Sequence, residues 1–155
     1  MQEVRGSDGK MMKTCFLIGH RDAPVALREK LEKAIAAAIA EYGVTEFVVG
    51  QYGAFDKMAA ACLAEAKKNH PELRLLLLLP YHPSERAVVL PTGFDGSFYP
   101  QGMEAVPRRL AIVRANEYMA KHCDLLICYV VLQNSNPGRI MQKASLYGKV
   151  YNLGS

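Results

Sequence analysis

The sequence has no stretch of 18 uncharged apolar residues, which excludes a helical membrane span of ordinary length. The leucine run at 75–79 is far too short for one. No signal-peptide pattern opens the chain, and the expected location is the cytoplasm. No CxxC pair joins any of the four cysteines, Cys15, Cys62, Cys123 and Cys128. They are expected to be reduced packing residues rather than a disulfide framework or metal site. The four histidines, His20, His70, His82 and His122, lack HExxH or any comparable spacing, so no metal site is expected. Walker A and GxGxxG loops are both absent. No basic run accompanies the net charge of +4. The scattered lysines and arginines suit small anionic ligands as well as nucleic acid and decide neither.

At 155 residues, half of them apolar and 22% charged, the chain reads as one domain with a proper core. Residues 1–11 are polar and contain Gly6, Ser7 and Gly9, followed by further methionines at 11 and 12. They are expected to form a disordered leader or an expression remnant, which leaves 12–155 as the folded domain.

Apolar strand-like runs occur at 14–18, 46–49, 73–79 and 125–132, with a last one at 150–153. Helical patterns separate them. The first follows Asp22 and Pro24, repeats Leu27, Leu31, Ile35, Ile39 and Tyr42 on one face, and ends at Gly43. The second spans about 54–69, with Phe55, Met58, Ala59, Cys62, Leu63 and Ala66 facing inward. A third spans about 107–122, with Leu110, Val113 and Met119 inward, and a fourth about 139–147. Alternation of this kind predicts an α/β fold, a Rossmann-like three-layer sandwich around a five-stranded, mainly parallel sheet. The expected strand order is 3-2-1-4-5. The connection at 80–106, rich in proline and aromatics, fits no minimal scheme. A lid, a dimer contact and an ordered excursion are all open for it.

In such a sheet the strands share one carboxyl edge, where ligands bind. Four loops fall there. After the second run come Gly50, Gln51, Tyr52 and Gly53, then Asp56. Two glycines at a strand-to-helix junction allow a ligand close to the backbone, with helix N–H groups facing an anion. A glycine turn with Asp56 favouring the helix dipole accounts for the same residues. After the first run come Gly19, His20 and Arg21. Arg21 is suited to a bidentate phosphate contact and His20 to a phosphate or sugar hydroxyl. Tyr81 follows the third run. After the fourth lie Ser135, Asn136, Gly138 and Arg139, which also read as a helix cap. Arg114 and Asn116 on the third helix complete the ligand-binding candidates, with a solvated helix surface as the plain alternative. No nucleophile set or carboxylate pair stands out, and no catalytic residue or cofactor is assigned. Asp56, Asp95 and Glu104 are the acids expected near the edge.

Four segments carry a family resemblance: CFLIGHR at 15–21, FVVGQYGAFD at 47–56, YPQGMEAVPRR at 99–109 and RANEYM at 114–119. Together they resemble the small YpsA-like bacterial proteins of the SLOG superfamily, which includes the DNA-processing protein DprA and the LOG phosphoribohydrolases. The resemblance covers nearly all of 13–153 and implies a Rossmann-like fold with a nucleotide-related pocket. Two departures qualify it. Relatives carry a Gly-Gly-Thr or Gly-Gly-Ala phosphate loop after the fourth strand, where this chain reads NSNPGR at 134–139. The LOG enzymes also use a glutamate just after that loop, where this chain reads RIMQ at 139–142. LOG-type phosphoribohydrolase activity is therefore not expected. The resulting expectation is a protein that binds a nucleotide or nucleotide-derived ligand, such as a ribose-phosphate, ADP-ribose or an NAD fragment. The alternatives are an N-glycosidic or phosphoribosyl hydrolase using the same pocket, and a DprA-like nucleic-acid binder. Nucleic acid and membrane partners are not expected, while a homo-oligomer, dimer or higher, is compatible with the sequence.

Overall fold

The computed structural model describes residues 12–155. The expected leader at 1–11, and with it the domain boundary, lies outside the described residues. Strand β1 (Thr14–Gly19) leads through a 3-10 turn at Val25–Leu27 into helix α1 (Arg28–Ala40). Strand β2 (Glu46–Val49), helix α2 (Ala54–Asn69) and strand β3 (Arg74–Leu78) follow. A short strand β4 (Gly96–Phe98) precedes helix α3 (Ala111–His122), then strand β5 (Leu125–Tyr129), helix α4 (Asn136–Ala144) and strand β6 (Lys149–Asn152).

The sheet has six strands in the order β4-β3-β2-β1-β5-β6, and every pairing is parallel. This corrects the expected five strands to six, and the order differs from the expected one by the added edge strand β4. The added strand lies inside the 80–106 connection, whose GSF segment carries too little apolar pattern to be read as a strand. It joins the outer edge of β3, pairing Leu76, Leu77 and Leu78 with Gly96, Ser97 and Phe98. Asp95 fixes its start: its carboxylate accepts the Leu75 N–H at 2.8 Å and pairs with Lys67. That contact sits at the amino end of β3, so Asp95 lies away from the carboxyl edge where it was expected.

The near-continuous apolar strands divide by their period of two. Cys15, Leu17, Phe47, Val49, Leu75 and Ile127 face the layer of α1 and α2. Phe16, Ile18, Val48, Leu76, Leu126 and Cys128 face the layer of α3 and α4. Both sheet faces are thus buried, as a parallel sheet requires. Helix α1 buries Leu31, Ala34, Ile35 and Ala38, while the more distal Tyr42 is exposed.

Helix α3 buries Met119 as expected, but the rest of its inward face differs from the one expected. Ala111, Ala115, Met119 and Ala120 are buried, whereas Leu110 and Val113 are only partly so. Small side chains let this helix lie close to the sheet, and with this face inward Asn116 is half-buried while Arg114, on the opposite side of the helix, is exposed. Helix α4 starts at Asn136, three residues before the expected position, because Ser135 caps it. The Ser135 hydroxyl accepts the Gly138 N–H at 3.1 Å, and Pro137 falls in the first turn, where it needs no donor.

The approach of α2 to β1 depends on Gly19. A Cβ there would sit 2.5 Å from Cγ of the fully buried Phe55. Gly19→Ala is expected to destabilise the protein by about 1–3 kcal/mol through overpacking. In urea unfolding, Gly19→Ala combined with Phe55→Ala should cost less than the sum of the two single changes. Strict additivity would show that the contact is not the cause.

Candidate functional site

The chain moves from β1 to β2 on one side and returns through α3 to β5 on the other side of β1. The carboxyl ends of β1 and β5 therefore flank the topological switch point, where ligands enter open α/β sheets. A cleft of about 270 Å³ opens there. The end of β1 forms its floor, with Gly19, His20 and Arg21. Gly50, Tyr52 and Asp56 line one side, and Asn116 and Asn136 line the other.

Helix α2 begins against the β1 loop. The Ala54 N–H donates to the Arg21 carbonyl at 2.8 Å. Gly53 has φ +133°, and a Cβ there would lie 2.7 Å from the Arg21 Cα. Gly53 therefore serves a backbone-to-backbone contact and does not line the cleft. Asp56, in the first turn of α2, reaches back so that its Oδ2 accepts the Tyr52 N–H at 2.8 Å. Two of the N–H groups available at this helix start are thus taken by the protein itself. The carboxylate of Asp56, rather than a row of free donors, occupies the end of α2.

Asp56 is only 9% exposed. Burial pushes its carboxyl up from 3.8 to about 6, while the Tyr52 N–H and the Arg21 charge pull the other way. The Arg21 guanidinium has no ion-pair partner among the described residues, and its side chain lines the same cleft. Asn116 also faces the cleft, with no hydrogen bond to its amide among the described residues.

His20 has a structural task. Its Nε2 accepts the N–H groups of Val131 and Leu132 at 2.9 and 3.4 Å, and its ring meets Tyr129 edge-on. It ties the β5–α4 loop to the end of β1, which leaves Nδ1 for any further contact. Asn136 lines the cleft while its Oδ1 accepts from Arg139 Nη1 at 3.2 Å.

Other candidates fall elsewhere. Gln51 and Tyr81 line a neighbouring hollow. Ser135 and Gly138 are engaged in the α4 cap. Arg139 is exposed and outside the cleft. Arg114 pairs with Glu117 at 3.6 Å, on a surface separate from the cleft. Glu104 is exposed and does not line the cleft. Residue-by-residue reading missed Ile112, Ala115, Leu78 and Pro137, which form apolar wall. The spacing of Ala111, Ala115 and Met119 held the signal for α3, because those residues facing the sheet bring 112 and 116 to the cleft side. Among the described residues, no group of three or more His, Cys, Asp or Glu side chains is placed to hold a metal. No helix there is long and apolar enough to cross a membrane.

A parallel α/β sheet flanked by helices, with a cleft at its switch point, is the class this architecture defines. The fold is similar to that of DNA processing protein A (DprA) from Streptococcus pneumoniae, with a TM-score of 0.60 at 17% sequence identity. The similarity covers 91% of this chain and 50% of that one, so this chain spans about half the length of DprA. At that identity the likeness describes the fold alone. No family model matches the chain, and no curated protein matches it.

The buried carboxyl has a measurable consequence. Between about pH 4 and 6 the unfolded chain has released the Asp56 proton and the folded chain has kept it. Stability therefore falls as pH rises through that window and stays lower above it. Asp56→Asn keeps an acceptor for the Tyr52 N–H and removes the buried charge. Urea unfolding should find this variant more stable than the parent at pH 7.5, by about 2–3 kcal/mol. The difference should vanish below pH 4. A variant less stable than the parent at pH 7.5 would contradict the assignment.

Proposed function

We propose that this protein binds a phosphorylated sugar or nucleotide-derived ligand in the cleft at the carboxyl edge of its sheet. One observation carries the reading: the exposed Arg21, which has no ion-pair partner among the described residues, and the buried carboxyl of Asp56 line the same cleft. Arginine is the side chain best matched to a phosphate, offering a planar fork of donors. A carboxylate with one oxygen committed to Tyr52 retains acceptor capacity for sugar hydroxyls. The Asn116 amide supplies both a donor and an acceptor. Ile112, Leu78 and Pro137 add the apolar wall expected of a small-molecule pocket. The resemblance to YpsA-like proteins of the SLOG superfamily points the same way. Ribose-phosphates, ADP-ribose and NAD fragments all combine these chemical features.

A second reading, hydrolysis of an N-glycosidic bond in the same cleft, is favoured by one observation. The Asp56 carboxyl titrates at about 6, within the range useful for proton transfer near neutrality. The binding reading is preferred, because Glu104 lies outside the cleft and the second acid that lines it, Asp22, is exposed to solvent. The name of the structural neighbour raises a third reading, association with DNA.

Calorimetry with AMP and ribose 5-phosphate tests the proposal. Arg21→Lys keeps the charge but loses the fork, and binding should weaken by about 1–2 kcal/mol, the scale of a charge-assisted hydrogen bond. Equal affinity in the variant would contradict the role of Arg21. Release of free base that is abolished by Asp56→Asn would promote the hydrolase reading. Oligonucleotide binding that weakens steeply with salt, without any nucleotide binding, would promote the third.

A further inference from the structure

The long connection between β3 and α3 builds a second hollow beside the cleft. It encloses about 290 Å³ and is lined by Gln51, Tyr52, Pro80, Tyr81 and Arg86 among others. Tyr52 and Pro80 also line the main cleft, so the two spaces share a wall. Two guanidinium groups lie over the Tyr81 ring: Arg86 with its Cζ 4.2 Å from the ring centroid, and Arg108 at 5.1 Å. They differ in their partners. Arg108 is held by the Glu85 carboxylate, whereas Arg86 has no carboxylate partner among the described residues.

A guanidinium resting on an aromatic face is held in orientation by cation–π attraction while its in-plane N–H groups remain free to donate. The charge is also felt across the hollow. Burial raises the Tyr52 hydroxyl above the ordinary tyrosine range, and Arg86 opposes that rise. Tyr52 thus lines one space with Arg21 and the other with Arg86, and neither arginine has a carboxylate partner among the described residues.

We propose that Arg86, oriented by Tyr81, is a second anion subsite, and that the ligand carries two anionic groups on opposite sides of a ribose-sized body. One anion meets Arg21, the body crosses Tyr52, and the other anion meets Arg86. This rests on the nucleotide reading of the main cleft. It gives the 80–106 connection a direct part in recognition, beyond supplying β4.

Calorimetry with AMP and with adenosine 3′,5′-bisphosphate separates the two claims. The parent protein should bind the bisphosphate about tenfold or more tightly than AMP, the scale of one charge-assisted hydrogen bond. Arg86→Ala should bring that ratio to near one while leaving AMP affinity unchanged. Arg86→Lys should retain part of the gain. Arg74→Ala, which removes an exposed arginine paired with Glu46, should leave the ratio as in the parent. AMP binding without a gain for the bisphosphate, or a gain that survives Arg86→Ala, overturns the second subsite alone. A gain lost equally in Arg74→Ala reduces it to general electrostatics and also overturns it. Failure of both probes to bind the parent overturns the subsite together with the reading it rests on.

Discussion

The seating of helix α2 against the end of β1 is the contact on which the cleft depends. The Ala54 N–H meets the Arg21 carbonyl, and Gly53 brings the two backbones together in a conformation that side-chain-bearing residues rarely adopt. From that seat Phe55 packs under Gly19, and Asp56 turns back to the Tyr52 N–H. The floor, the buried acid and the position of Arg21 follow from one junction. His20 extends it to the far side by holding the β5–α4 loop through two backbone N–H groups. The residues around the switch point are therefore coupled through the backbone rather than through side-chain pairs.

This arrangement changes what the glycines at 50 and 53 mean. Two glycines at a strand-to-helix junction suggest a cradle of free N–H groups. Here the protein fills part of that role itself, because the Asp56 carboxylate takes a donor that an external anion would otherwise use. The positive element facing the cleft is then the Arg21 side chain. A buried acid that lowers stability at neutral pH is a local conflict of the kind that persists where a site needs it. The proposed recognition of a ligand with both anionic and hydroxyl groups rests on Asp56 and Arg21 lining one cleft without an ion pair between them.

Much of the fold was legible because its signals are local. Strands buried on both faces read as continuous apolar runs, and α2 was bounded by Gly53 and Pro71 in the sequence itself. Strand β4 was not legible. Its GSF segment owes its place to pairing with β3 and to the Asp95 clamp, both of which depend on residues about twenty positions away. The site was partly legible for a related reason. Gly19, His20, Arg21, Gly50, Tyr52, Asp56 and Asn136 follow strand ends or open helices, so topology alone brings them to the cleft. Arg114 and Asn116 depended on which face of α3 turns inward. The large residues at 110 and 113 suggested one face, but close packing of Ala111, Ala115 and Ala120 selected another. Ser135 and Gly138 showed the reverse ambiguity: residues suited to a ligand loop proved to be engaged in starting a helix.

The central claim is that the switch-point cleft receives the phosphate-bearing ligand. Amide chemical-shift mapping during titration with AMP tests it most directly, because it reports location as well as binding. The account predicts saturable shifts at Gly19, His20, Arg21, Gly50, Tyr52, Asn116 and Asn136, with Arg74 and Arg114 unmoved. Saturable shifts confined to the Arg114 surface, with the β1 and β2 loops silent, would contradict it.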